Sequence, residues 1–383
     1  MRKFSRPACA TFRAATGQTV NSMDDCIIVG GGLIGMLAAR ELSATGLAVR
    51  LIERGELGHE ASWAGGGILS PLYPWRYPAA VTRLARYGQA RYPALARCLY
   101  EESGVDPEWE PSGLLVPSAS EYDAARAWAE QQHVELEHLD ADGMRRCEPA
   151  LAPMGEGGLW LPGIAQMRNP RLVRALRVGL AGSRVVVETG NPVQGLRVNA
   201  GRICGVDTAR GPRAAGQVVV AGGAWSAGLL AALGPPPPIR PVRGQMVVFR
   251  AMPGQLQRIV LHGDRYLIPR RDGRIVVGST LEEVGFDKST TGEACTSLTQ
   301  AACALMPALS DLAVEHQWSG LRPGSPEGIP VVAEHPRVRG LFINAGHYRN
   351  GVIMGLGSVR VMVDLMLARP PVIDPTPYDY PVM

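Results

Sequence analysis

Gly30, Gly32 and Gly35 stand at the spacing that lets a main chain cradle a pyrophosphate, and Glu53 follows 23 residues after Gly30. In such a turn the first glycine allows the tight bend. The second lets phosphate approach the backbone, and the third lets a helix pack close to a strand. The unpaired N–H groups and positive dipole end of that helix face the phosphates. A carboxylate at the position of Glu53 accepts from ribose hydroxyls and disfavours a 2′-phosphate, hence NADP. The motif does not separate NAD from FAD. A second residue calls for a reason: Arg322 interrupts the apolar, turn-forming run from Trp318 to Gly324. A guanidinium grips a carboxylate through a two-pronged fork. A buried ion pair or a surface charge would also account for it.

These residues need a strand–turn–helix–strand frame, and the chain supplies one. Apolar Cys26–Val29 leads into the glycines, an Ala/Leu-rich helix pattern follows, and Leu47–Ile52 ends on Glu53. A later apolar strand, Gln217–Ala221, runs into Gly222, Gly223 and a helix. A last one, Leu341–Ala345, enters Gly346–Gly351 and a helix over Leu356–Leu367. Between them the rhythm changes. Ala79–Ser103 and Glu121–Gln132 have helical spacing, with a short strand at Gly113–Pro117. Pro170–Leu180 is helical and precedes a strand at Val185–Glu188 and a strand pair, Pro192–Val198 and Gly201–Thr208. Gln245–Arg250, Ile259–Pro269 and Arg274–Thr280 suggest an antiparallel sheet, and Ser297–Met306 a helix. The expected fold class is α/β, a Rossmann-like nucleotide domain interleaved with an α+β domain built on an antiparallel sheet. The first comprises 23–77, 162–232 and 318–383, and the second 78–161 and 233–317, after a disordered extension over 1–22.

Composition narrows the function classes. The chain has 383 residues, 46% of them hydrophobic, enough for two domains and a large core. The formal charge of +4 belongs to the first 22 residues, which hold Arg2, Lys3, Arg6 and Arg13 and no acid. That tail loosely resembles a transit peptide, but an unstructured extension or a start at Met23 is the simpler expectation. The remainder is balanced and shows no basic stripe with interleaved aromatics, so nucleic-acid binding is not expected. Seven scattered cysteines without a CxxC argue against a disulfide framework or a metal site and suit a reducing, cytoplasmic setting. No uncharged apolar run reaches the length of a membrane span.

Several segments together resemble a known family. They are Val29–Gly35 with Glu53, Ser62–Leu69, Val219–Ser226, Tyr266–Arg270, Gly278–Thr280, Trp318–Gly324 and Gly346–Gly351. They are similar to the FAD-dependent D-amino-acid-oxidase group of flavoenzymes, over residues 24–378. The resemblance implies FAD rather than NAD, a discontinuous FAD-binding domain and a substrate domain. It implies oxidation of glycine, sarcosine or small D-amino acids by hydride transfer to flavin N5, with O2 as acceptor and hydrogen peroxide as product. It also implies a homo-oligomer, and hand-over of the imine to a thiazole synthase in thiamine biosynthesis.

By the same resemblance, Arg322 is the substrate carboxylate clamp, Tyr266 adds a phenolic hydrogen bond, and Arg349 lies beside the substrate. Gly30, Gly32, Leu33, Ile34 and Gly35 form the phosphate turn, with Glu53 at the ribose, and Arg54 is a further cofactor-binding residue. Ser62, Gly66, Gly67 and Ile68 pass along the pyrophosphate and isoalloxazine, and Val193 offers backbone bonds to adenine. Gly346, His347, Arg349, Asn350, Gly351, Val352 and Ile353 close over the other edge of the flavin. No side-chain base is required, and His347 is expected to be a packed, hydrogen-bonded histidine. Some relatives attach flavin to a C-terminal cysteine. None follows Cys303 here, so non-covalent FAD is expected. Ile68 stands where some relatives have methionine, and its stiff β-branched side chain reshapes the substrate pocket. Other outcomes share parts of the pattern. They are an amine dehydrogenase passing electrons to a quinone, a flavin-binding sensor, and, on the glycine turn alone, an NAD-dependent dehydrogenase.

Overall fold

Two eight-stranded sheets organise the chain. They are seen in a computed structural model that describes residues 23–155 and 157–381. The extension expected over 1–22 lies outside the described residues.

Asp24–Val29 sits in the middle of the first sheet, parallel to Val49–Ile52 on one side and to Gly211–Val220 on the other. Val186–Glu188 and Leu341–Ala345 extend the parallel run, and Val331–Glu334 pairs antiparallel at the edge. A hairpin of Val193–Asn199 and Arg202–Thr208 pairs onto Gly211–Val220. Cys26, Ile27 and Ile28 are fully buried, as a parallel strand covered on both faces requires. Helix Leu33–Ala44 lies against this strand. A Cβ at Gly35 would come within 1.9 Å of the Gly30 carbonyl oxygen, so the third glycine of the turn sets that closeness.

The region expected as one helix, Ala79–Ser103, is two, Ala79–Gln89 and Tyr92–Ser103, with Pro93 opening the second. Both pack onto the helices of the first sheet, although 78–161 is expected in the domain built on the antiparallel sheet. Val81, Leu84 and Ala85 share one apolar cluster with Ile353 and Met354 of helix Gly351–Met366. Tyr92 Oη donates to the Val352 carbonyl at 2.5 Å, and Tyr378 Oη to that of Ala80 at 2.8 Å. Their apolar faces need the cover that the first sheet's helices provide.

The second sheet runs in the order Val314–Gly324, Arg240–Arg250, Arg274–Gly278, Arg265–Pro269, Ile259–His262, Leu114–Val116, Gly157–Leu161, Glu137–Asp140. It is antiparallel except where Ile259–His262 meets Leu114–Val116. The strand expected over Ile259–Pro269 is a hairpin, since Gly263 (φ +56°) and Asp264 reverse the chain. Val314–Gly324 pairs with Arg240–Arg250 throughout, with Arg322 opposite Val242. Residues 318–324, expected in the nucleotide domain, therefore belong to the second sheet. The two sheets meet at a cavity beside the carboxyl ends of Asp24–Val29, Gly211–Val220 and Leu341–Ala345, where open α/β sheets take their ligands.

Candidate active site

The cavity measures about 540 Å³ and is lined from Pro192 and Val193, past Glu53, to Tyr266, Arg322 and Arg349. That volume suits a cofactor-sized ligand. Its walls divide into a cradle made largely of main chain and an end made of side chains.

The cradle starts at the glycine turn. Glu53 is locked in place: Oε2 accepts from Gly31 N–H at 2.6 Å and Oε1 from Gly55 N–H at 2.9 Å. Ser62 Oγ accepts from Leu33 N–H at 2.8 Å, which ties the first helix to the short helix Ala61–Ala64. Asn169 Nδ2 donates to the Ser62 carbonyl at 2.9 Å. Beyond it, the N–H groups of Gly66, Gly67 and Ile68 find no acceptor among the described residues. Gly67 is buried at φ +80°, and a Cβ there would lie 2.0 Å from the Met167 carbonyl oxygen. On the opposite wall helix Gly351–Met366 begins after Asn350 with no side-chain cap, and Gly351, Val352 and Ile353 line the cavity. Asn344 Oδ1 and Asn350 Nδ2 also lie here, buried and without a partner among the described residues. Unpaired donors, an open helix N-terminus and a locked carboxylate fit a flat ring system joined to a pyrophosphate and a ribose.

The other end holds cations. Arg322 Nη2 donates to Ser279 Oγ at 2.7 Å and Nη1 to the Thr280 carbonyl at 3.1 Å, both neutral acceptors. Burial is the main reason that its pKa falls below the ordinary arginine value. Tyr266 opposes that fall, and the like charge of Arg349 adds to it. Tyr266 is buried beside it, its hydroxyl directed at Met246 Sδ at 3.8 Å. Ile68, Leu72, Met246 and Tyr348 complete the lining with Arg349. The arrangement can hold a small carboxylate against two guanidinium groups, with apolar neighbours that limit water. His347 is 2% exposed, its Nε2 lies 2.8 Å from Ser358 Oγ, and burial pushes its pKa down to about 3. It is a neutral, packed histidine at physiological pH.

Of the residues singled out in the sequence, all line this cavity except Gly35 and Gly346. Gly35 acts through the helix contact described above. Gly346 turns the chain after Leu341–Ala345 at φ +89°, its carbonyl accepting from Ser325 Oγ. Sequence reasoning did not assign Asn169, Trp225, Met246, Arg270 or Tyr348. Trp225 lies under the Arg54 guanidinium at 3.6 Å and against Phe286 at 5.4 Å, and Arg54 also pairs with Glu60 at 2.7 Å. Lys288 reaches the same Glu60, so the loop after Gly278 is clasped to the cradle's rim. A tryptophan directly after a glycine turn was the available signal for Trp225. For Arg270 it was an arginine ending an apolar strand.

Fold and cavity together define an α/β protein built to hold a dinucleotide cofactor. The chain belongs to the FAD dependent oxidoreductase (DAO) family, whose pattern it matches over residues 25–365. It is 46% identical to a glycine oxidase of Pseudomonas aeruginosa over 92% of this chain and 97% of that protein. It is 32% identical to the bifunctional protein ThiO/ThiG of Synechocystis over 91% of this chain and 52% of that protein. The crystal structure of glycine oxidase from Geobacillus kaustophilus superposes with a TM-score of 0.90 at 30% identity, covering 94% of this chain and 99% of that one. The protein is an FAD-dependent amino-acid oxidase.

Proposed function

We propose that the protein oxidises glycine, and with it sarcosine or small D-amino acids, to the imine, which from glycine hydrolyses to glyoxylate and ammonia, with hydrogen peroxide formed from O2. One observation carries the proposal: Arg322, deep in the cavity, has only neutral partners, and a second guanidinium and a phenol stand beside it. A carboxylate is the missing partner. Arg322 grips it in a fork, Tyr266 turns its hydroxyl from Met246 toward it, and Arg349 adds positive field. Ile68, Leu72 and Met246 leave room for a short side chain and keep water out. Val193 and Glu53 would hold the adenosine end of a non-covalent FAD, and Gly66–Ile68 and Gly351–Ile353 its ring. When bound it supplies the acceptor for the Cα hydride at N5 and passes the electrons to O2. His347 is neutral and engaged with Ser358, so we assign it no role as a base and propose hydride loss from a neutral amine.

The first sheet with its helices forms the FAD-binding domain and the second sheet the substrate domain. The likeness to a protein named ThiO/ThiG supports hand-over of the imine to a thiazole synthase. We further propose a cytoplasmic homo-oligomer, whose described cysteines are unpaired. No described helix is long and apolar enough to cross a membrane. The test is aerobic peroxide release by the purified yellow protein with glycine, sarcosine, D-alanine and D-proline side by side. Peroxide with glycine is the expected result. Anaerobic bleaching of the flavin by glycine without aerobic peroxide would move the protein to the dehydrogenases. Yellow supernatant after acid precipitation is expected, and a yellow pellet would overturn non-covalent binding.

A further inference from the structure

Among the described residues, Arg270 is a buried cation without a counter-ion of its own. It ends strand Arg265–Pro269 and is 8% exposed. Nη1 donates to Gln166 Oε1 at 2.5 Å and to the Met167 carbonyl at 3.2 Å, and Nη2 donates to the Gly66 carbonyl at 2.7 Å. All three acceptors are neutral. The nearest carboxylates serve other cations: Glu108 pairs with Arg168 and Arg171, and Asp272 with Arg168 and Arg274. Burial and the neighbouring charge of Arg168 bring the pKa of Arg270 down to about 10, so it remains charged at neutral pH. Holding such a charge in the interior is costly, and an apolar side chain of similar length would fill the space without that cost.

The place where the charge is applied supplies a reason. Gly66 and Gly67 line the cavity, whereas Arg270 sits behind them. The Gly66 carbonyl takes the guanidinium on one side of a peptide whose other end, Gly67 N–H, has no acceptor among the described residues. A charged donor on a carbonyl polarises the peptide and strengthens the N–H at its far end. Tyr266 and Ile268 press against Gly66 from the same sheet, which fixes the peptide's orientation.

We propose that Arg270 is a positioning residue for the cofactor. Through the Gly66 carbonyl it fixes and polarises the Gly66–Ile68 segment, and so eases two-electron reduction of the bound flavin. This rests on the assignment of FAD to the cradle, and not on the identity of the amino acid.

The test uses the FAD-loaded protein as wild type, Arg270→Met, Arg270→Lys and Gln166→Met. Each is equilibrated anaerobically with a reference dye, and reduced and oxidised flavin are read from absorbance. A sulfite titration of the oxidised flavin gives a second readout. In Arg270→Met the reduction equilibrium is expected to move toward oxidised flavin by about tenfold or more, with sulfite affinity falling in parallel. Arg270→Lys recovers most of that change, because it keeps the charge. Gln166→Met stays within about twofold, because it removes an anchor and no charge. Arg270→Gln, neutral and polar, replaces the methionine variant if that one fails to load FAD. A neutral variant with wild-type reduction and sulfite affinity but lower stability or FAD affinity would overturn the proposal and leave Arg270 a scaffold residue. Neither readout involves an amino acid, so a protein inactive on glycine still answers the question. A protein that holds no FAD would reject both readings.

Discussion

The two ends of the cavity are built from different materials. The cradle consists of glycine backbone, helix N-termini and a carboxylate locked by two N–H groups. The other end consists of Arg322, Tyr266 and Arg349 on strands and loops far apart in the chain. Backbone donors have no rotamers to lose, so they suit a cofactor that stays. Side chains with neutral resting partners suit a substrate that comes and goes, because Arg322 keeps Ser279 and Thr280 when the anion leaves. The difference teaches that damage to the first region should appear in cofactor affinity, and damage to the second in turnover with cofactor retained.

The sharpest way to break this division is Arg322→Ala. It should lower kcat/KM for glycine about 10³-fold, about 4 kcal/mol, with the flavin spectrum unchanged. An unaltered KM for glycine would remove Arg322 from the clamp. Next comes Gly67→Ala. Its Cβ would lie 2.0 Å from the Met167 carbonyl oxygen and 2.6 Å from Asn169 Oδ1, so the segment must shift. At about 1–3 kcal/mol, FAD titration of the apoprotein should show a Kd raised roughly 5- to 150-fold. Reloaded enzyme losing turnover instead would blur the two regions.

Tyr266→Phe should raise KM for glycine about fivefold, with FAD affinity intact, since one hydrogen bond of about 1 kcal/mol is lost. The smallest effect concerns His347 and stability. Its folded pKa of about 3 lies below the unfolded value near 6.5, so its contribution is complete above pH 6.5 and is lost as pH falls toward 3. Between pH 7 and pH 6 the wild type should lose about 0.7 kcal/mol through this group, and His347→Gln should not. Denaturant unfolding at both pH values measures it. An identical loss in the two proteins would mean that His347 titrates normally.

The cradle was legible because its parts are adjacent in sequence. Gly30–Gly35, Glu53 and Leu341–Ala345 carry local patterns, and the structure puts them where those patterns point. Misread elements share a cause, namely that punctuation was hidden within apolar runs. Gly263 and Asp264 break Ile259–Pro269 in a two-residue turn, and Pro93 starts a new helix within Ala79–Ser103. The last helix begins at Gly351 rather than Leu356, since Gly351 and Gly355 read as loop yet lie inside it. Arg270 stayed without a role because its partners are remote, Gln166 at 104 positions away and Gly66 at 204. Nothing in the Tyr266–Arg270 segment names them.

The central strand Asp24–Val29 has a further consequence at the ribosome. One flank is paired early, by Val49–Ile52, but the other waits for Gly211–Val220, which in turn waits for Leu341–Ala345. At 5–20 residues per second, the open edge of apolar Cys26–Val29 stays unpaired for roughly 10–40 s of synthesis. The nascent chain therefore carries an adhesive edge long before it can hold its cofactor, because flavin capture waits for Leu341–Ala345 and the helix that opens at Gly351.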